Sequence, residues 1–151
     1  MRFELHCHTL HSRISIPCGL EKPSEVVKQA AKVGLDGIAI TDHDTTNGWD
    51  EARKEAKKQG IMFIPGIEVS SGMGHILGLG VSEGVPSNMG IGETVDQIRE
   101  RGGIAIAAHP FDIRGHGIRH RLSEADAAEA FNALSLDRVS NRLTRSVAEK
   151  E

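Results

Sequence analysis

Tyrosine is missing from this 151-residue chain, and the aromatic complement is four Phe and one Trp. Stacking surface is therefore scarce, which argues against a single-strand binder built on aromatic platforms. Only two cysteines occur, Cys7 and Cys18, too far apart for a Cys-x-x-Cys pair. Nothing in the sequence calls for a disulfide, so a reducing cytoplasm is expected. No apolar run approaches the ~20 residues that span a bilayer. The N-terminus enters a strand-like segment directly rather than a charged leader with an apolar stretch. A soluble cytoplasmic protein without a membrane partner is the expectation. A net charge of −3, with eight His uncounted, gives no broad polyanion-binding face. The length suits one domain, 1–151, which buries roughly two-thirds of its unfolded surface.

What is present is an alternation of short apolar runs with amphipathic segments. Arg2 to Cys7 reads as a strand, followed by a polar loop from Thr9 to Lys22 that contains Pro17 and Gly19. Pro23-Ser24-Glu25 opens a helix that Gly34 stops. Gly37 to Ile40 is a continuous apolar run, as in a strand covered on both faces. A helix over about Asn47–Gln59 ends at Gly60. Met62–Pro65 is a strand that Gly66–Ser70 extends past a Pro-Gly bend. After the Gly72-Met73-Gly74 turn, His75–Val81 is a fourth strand, Glu93–Arg101 a helix and Ile104–Ala108 a fifth strand. Ala125–Leu136 reads as a helix or as a short strand leading to Asn132, and Asp137–Glu151 is polar and helix-compatible. The alternation predicts a mostly parallel α/β sheet with its ligand site at the C-terminal strand ends.

Ionisable residues gather at those ends. His6 and His8, two apart in a strand, share a face and suit one divalent ion at about 2.0–2.1 Å; they read equally as an incidental exposed pair. Asp42-His43-Asp44 follows the strand at Ile40. His43 reads as the ligand, Asp42 or Asp44 as an orienter of its ring, and Asp44 also as a cap for the next helix. Glu68 has apolar neighbours on both sides. Bridging two ions, a salt bridge, or plain exposure would each satisfy it. His75 lies at the start of its strand, the wrong edge unless that strand runs antiparallel, so its reading stays open between ligand and structural residue. His109 ends a strand that Pro110 terminates. The loop after it carries Arg114, His116, Arg119, His120 and Arg121. Arginine suits phosphate recognition through its planar fork, and a solvated loop is the bland alternative. Cys7 points away from the His6/His8 face and reads as a small core residue.

The segments ELHCHT, GLDGIAITDHDTTNG, IPGIEVS, GHILGLG and GGIAIAAHPFD, with a weaker AEAFNA, stand in one order from Glu4 to about Asn132. In that order the chain resembles the PHP (polymerase and histidinol phosphatase) family, in its stand-alone phosphoesterase branch. The resemblance implies a distorted barrel of seven strand–helix units, here cut short at its C-terminal end. It implies two or three divalent ions, with His6, His8 and Glu68 on the first, Glu68, His75 and His109 on the second, and His43 on the third. Histidine-rich ligation favours Mn, Zn or Fe over Mg. Two positions depart from the family. Ile14 stands where an Asp or His is usual, and no Asp-x-His occurs after Asn132.

The implied activity is hydrolysis of a phosphate ester, with a nucleotide, short oligonucleotide or small phosphorylated molecule as substrate. A hydroxide activated at Glu68 attacks phosphorus, His43 or His109 protonates the leaving oxygen, and Arg114 and Arg119 orient the phosphate. An amidohydrolase-like metal hydrolase and a non-catalytic metal-binding remnant are the alternatives. A barrel cut short would also bare a sheet edge, and self-association to a homo-oligomer is expected from it.

Overall fold

In the computed structural model, residues 1–12, 18–133, 135 and 138–149 are described. Ile14, Pro17, Leu136, Asp137 and Glu151, named above, lie outside them. One six-stranded sheet runs in the order β1-β2-β3-β4-β5-β6, curled into a half-barrel with four helices. The strands are β1 (Phe3–Glu4), β2 (Gly37–Ile40), β3 (Met62–Ser71), β4 (Gly74–Leu79), β5 (Ile104–Ala107) and β6 (Ala127–Ala128). The helices are α1 (Pro23–Lys32), α2 (Trp49–Gln59), α3 (Ile91–Glu100) and α4 (Arg138–Ala148).

Local chemistry explains most boundaries. Pro23 presets the first turn of α1, Val27 and Ala30 supply its buried stripe, and Gly34 leaves it at φ +78°. Gly60 ends α2 in the left-handed region at φ +72°. At the other end of α2, Trp49 donates its indole N–H to the Gly66 carbonyl at 2.8 Å, tying the helix to the bend in β3. Every residue of β2 is buried, as its unbroken apolar run requires. The core is aliphatic: Ile38, Ile40, Ile67, Val69, Ile76, Leu77, Val95 and Ile98 are each at most 1% exposed. Each such side chain contributes about 1.5–3 kcal/mol of burial.

The sheet is mixed. β1 to β2, β2 to β3 and β5 to β6 are parallel, whereas β4 is antiparallel to both β3 and β5. β3 makes the change of direction by serving two partners in turn. Met62–Pro65 pairs with β2, and Gly66–Ser71 pairs with β4. Because the β3–β4 connection is a hairpin, His75 lies opposite Ser70, at the same edge as the residues after β2 and β5.

Two expectations change and one open reading is resolved. The strand expected over Arg2–Cys7 is only Phe3–Glu4. Beyond it side chains take the amides, His6 donating to Glu4 Oε1 at 3.0 Å and Cys7 to Thr41 Oγ1 at 2.9 Å, while the Thr41 amide still donates to the Cys7 carbonyl at 2.8 Å. Asp44 does not cap α2, which starts at Trp49 after Gly48 with no side-chain cap. Asp44 sits at φ +54° and accepts the Ser70 amide at 2.8 Å, latching this turn to β3. The ambiguous stretch after Ala125 contains the short strand β6.

Candidate metal centre

Glu68 is fully buried and points away from Ile67 and Val69, as strand alternation dictates. An ionised carboxylate buried alone is prohibitively costly, so it must have partners. It has five. Oε2 lies 3.0 Å from His6 Nε2, 3.0 Å from His8 Nε2 and 3.2 Å from His43 Nε2. Oε1 lies 3.0 Å from His75 Nδ1 and 2.9 Å from His109 Nε2. All six residues expected at the centre thus converge, and the two oxygens divide them into two groups.

Each ring arrives by its own route. His43 is set beside Glu68 by a parallel bridge that continues β2, with the Asp44 amide donating to the Glu68 carbonyl at 3.0 Å. His75 comes from the β3–β4 hairpin, its amide donating to the His116 carbonyl at 2.8 Å. His109 follows β5 at φ +29°, a costly conformation for a non-glycine residue and one typical of functional sites. His6 and His8 follow β1. There the chain is anchored by Thr9, whose hydroxyl donates to buried Asp42 at 2.6 Å.

Protons alone satisfy this cluster poorly. His6 Nε2 and His8 Nε2 face each other at 3.2 Å while both address one oxygen. The buried Nδ1 atoms of His43, His75 and His109 have no hydrogen-bond partner; that of His75 lies near Glu68 without being aligned to bond it. Charging all five rings would crowd cations, and leaving them neutral sets lone pairs against lone pairs. Divalent ions resolve the conflict by accepting those lone pairs. Among the described residues two triads qualify, His6–His8–Glu68 and His43–Glu68–His75, each with donor atoms within 4.8 Å of one another. Imidazole with carboxylate suits Zn, Mn or Fe.

The electrostatics follow the same geometry. Burial opposes charge on His6, yet its hydrogen bonds to Glu129 and Glu68 raise its pKa from 6.5 to about 10. His43 falls to about 4: burial lowers it most, Glu68 only partly offsets this, and His8, His75 and His6 lower it further. It is unprotonated at neutral pH, as a ligand must be. Burial works against the Glu68 anion, but the imidazoles of His109, His6, His75 and His8 set against it hold its pKa well below the usual carboxylate range. Cys7 is pushed up to about 12 by burial and then by Glu4 and Asp42, so it stays a thiol beside the core.

Around these rings stand residues the motifs did not single out. Ser12 Oγ lies 3.0 Å from His8 Nδ1 and accepts the His43 amide at 2.9 Å. Glu129 meets both His6 and the His109 backbone. The AEAFNA segment was the one sequence signal for it. Neither Asp42 nor Asp44 orients the His43 ring; they hold Thr9 and Ser70 instead. In the arginine loop, Arg114 Nε donates to buried Asp112 at 2.9 Å and its side chain remains half exposed. Arg119 is exposed, at φ +54°, and makes no ion pair among the described residues. The loop reaches the centre through His116, whose ring stacks on His75 at 5.2 Å.

The sequence profile of the PHP domain matches residues 4–83, more than half of the chain. The chain belongs to the PHP domain family. An uncharacterised protein of Methanocaldococcus jannaschii is 33% identical over 159 residues, a match covering 100% of this chain and 93% of that one. A 5'-3' exoribonuclease of Haemophilus influenzae is 35% identical over 70% of this chain and 38% of its own length. A 3',5'-nucleoside bisphosphate phosphatase of Chromobacterium violaceum is 42% identical over 51% of this chain and 28% of its own. This PHP chain therefore spans well under half the length of the two relatives with named activities. Its fold is shared with a proposed metal-dependent phosphoesterase of Bifidobacterium adolescentis: TM-score 0.77, 18% identity, 98% of this chain and 83% of that one. Among the described residues no helix is long and apolar enough to cross a membrane.

Proposed function

We propose that this PHP domain is a metal-dependent phosphoesterase acting on the phosphate ester of a nucleotide or short oligonucleotide. The observation that carries it is Glu68, buried and shared by five imidazoles that divide between its two oxygens. A carboxylate so placed suits the bridge between two divalent ions. Bound there, the ions supply an activated water and neutralise phosphoryl charge.

The residues of the chain have distinct tasks in this reading. His6 and His8 serve the Oε2 side, His75 and His109 the Oε1 side, and His43 lies by Oε2 and joins His75 in the second triad. His43, held unprotonated by burial, is suited to ligate rather than to deliver a proton to the leaving oxygen. Arg114, braced by Asp112 through Nε and half exposed, orients the phosphate. Arg119 supplies a second cation on the same loop. The nucleotide substrate is supported by the activities named for the exoribonuclease and the bisphosphate phosphatase.

A panel of phosphate esters offered with Mn²⁺ beside a panel of amides tests the reaction class. Phosphate release that His8→Ala abolishes supports the phosphoesterase. Amide hydrolysis alone would replace it with an amidohydrolase reaction. Bound metal without turnover on either panel would leave a metal-binding domain.

A further inference from the structure

We propose that Glu129 is a positioning residue that assembles both halves of the metal centre from a single carboxylate, fixing the His6 ring and the His109 backbone together. The proposal rests on reading the Glu68 cluster as a metal centre.

Glu129 follows β6, which pairs in parallel with β5, and its amide donates to the Ala107 carbonyl at 3.0 Å. The sheet therefore delivers it to the edge where β5 delivers His109. Its carboxylate, 12% exposed, divides its oxygens. Oε1 meets His6 Nδ1 at 3.0 Å, and Oε2 accepts the His109 amide at 2.8 Å. Asn132 Nδ2 lies 3.1 Å from both oxygens and fixes the plane of the group.

An ionised carboxylate only accepts hydrogen bonds, so His6 Nδ1 must carry the proton. That leaves Nε2, which points to where His8 Nε2 and Glu68 Oε2 converge, as the nitrogen that would take a divalent ion in place of its own proton. The same carboxylate restrains His109 in its strained backbone through a charge-assisted bond. One side chain thus ties a ring on the Oε2 side of Glu68 to a ring on the Oε1 side. Glu129 meets the outer nitrogen of His6, and it belongs to neither triad of convergent donor atoms. Its geometry is that of an orienter rather than a ligand.

The test is titration calorimetry with Mn²⁺ and Zn²⁺ on the full chain, comparing wild type with Glu129→Ala and Glu129→Gln. Circular dichroism and thermal melting verify folding. Loss of an outer partner of a ligating histidine weakens metal binding about 10–100-fold. Glu129→Ala is expected to show such a loss at both ion positions. Glu129→Gln is expected to fall between, since an amide presents one oxygen for two donors. In Zn²⁺-loaded protein, the proton on His6 Nδ1 should give a far-downfield resonance that Glu129→Ala removes; a merely structural role would not move it. A folded Glu129→Ala with wild-type affinity at both positions and an unchanged resonance overturns the proposal. Should Glu129→Ala not fold, the same readings on Glu129→Gln decide. Wild-type protein that binds no metal would instead sink the metal centre itself.

Discussion

His43 and Glu68 face each other across a single parallel bridge, with His43 Nε2 3.2 Å from Glu68 Oε2. The pair sits where β2 has ended as a strand but its backbone still runs beside β3. Glu68 thereby becomes common to the residues after β1, β2 and β5 and to the β3–β4 hairpin. Removing it should act on the whole centre, while removing one ring acts on one side. His8→Ala is expected to lose the ion on the Oε2 side, and His75→Ala the ion on the Oε1 side. Glu68→Gln should weaken both by at least about 100-fold, beyond the usual effect of an outer partner. Elemental analysis after dialysis, with calorimetric stoichiometry, checks the pattern. Equal losses in all three variants would argue for one ion rather than two.

Metal should stabilise the fold, because its ligands come from four separate parts of the sheet. An ion at 100 times its Kd adds about 2.7 kcal/mol, or about 5–10 °C in Tm for a chain of this size. Thermal melting with Mn²⁺, and again after a chelator, measures this. A Tm indifferent to both would mean the five imidazoles are not a binding site.

Gly19 is a second-site probe of the His8 segment. A Cβ there would lie 2.6 Å from the His8 carbonyl oxygen and 2.7 Å from the Thr9 nitrogen. Backbone cannot yield as a flexible side chain does, so Gly19→Ala must displace His8 and Thr9. Overpacking of this kind costs about 1–3 kcal/mol. The expected result is lower thermal stability with weaker metal binding on the Oε2 side, read by melting and calorimetry on one preparation.

A pH-dependent contribution lies away from the centre. Asp126 accepts hydrogen bonds from Arg99 Nη2 at 2.6 Å and from the Ala105 amide at 2.8 Å. The Arg99 bond, and then that of Ala105, lower its pKa below 3.8. A carboxylate depressed in the folded state stabilises above its ordinary value, and that stability is lost as pH falls through the folded value. Asp126→Asn should therefore destabilise by up to about 1 kcal/mol at neutral pH, the scale of a partly exposed pair. Its difference from wild type should shrink as the pH falls below 3.8. Urea unfolding at several pH values tests this; a difference that grows towards acid contradicts it.

How much was legible in the sequence depended on whether a signal was local. β2 and β5 were plain because continuous apolar runs stop abruptly at Ile40 and Ala108, and His43 and His109 lie just beyond those stops. His75 was undecidable from spacing: its position depends on β4 reversing direction, which is a tertiary fact. The strand over Arg2–Cys7 is shorter than its alternation predicts because the Glu4 and Thr41 side chains take the His6 and Cys7 amides. Asp44 looked like a helix cap because it precedes α2, yet its partner is Ser70, distant in sequence. Glu129 was missed because a two-residue strand has no periodicity to read, and its function depends on His6, on the far side of the chain.

The most direct test of the centre is anomalous diffraction from crystals grown with Mn²⁺. Two anomalous peaks flanking the Glu68 carboxylate are expected, one beside His6 and His8 and the other beside His75. Absence of any peak at Glu68, or peaks only at surface carboxylates elsewhere, would contradict the account.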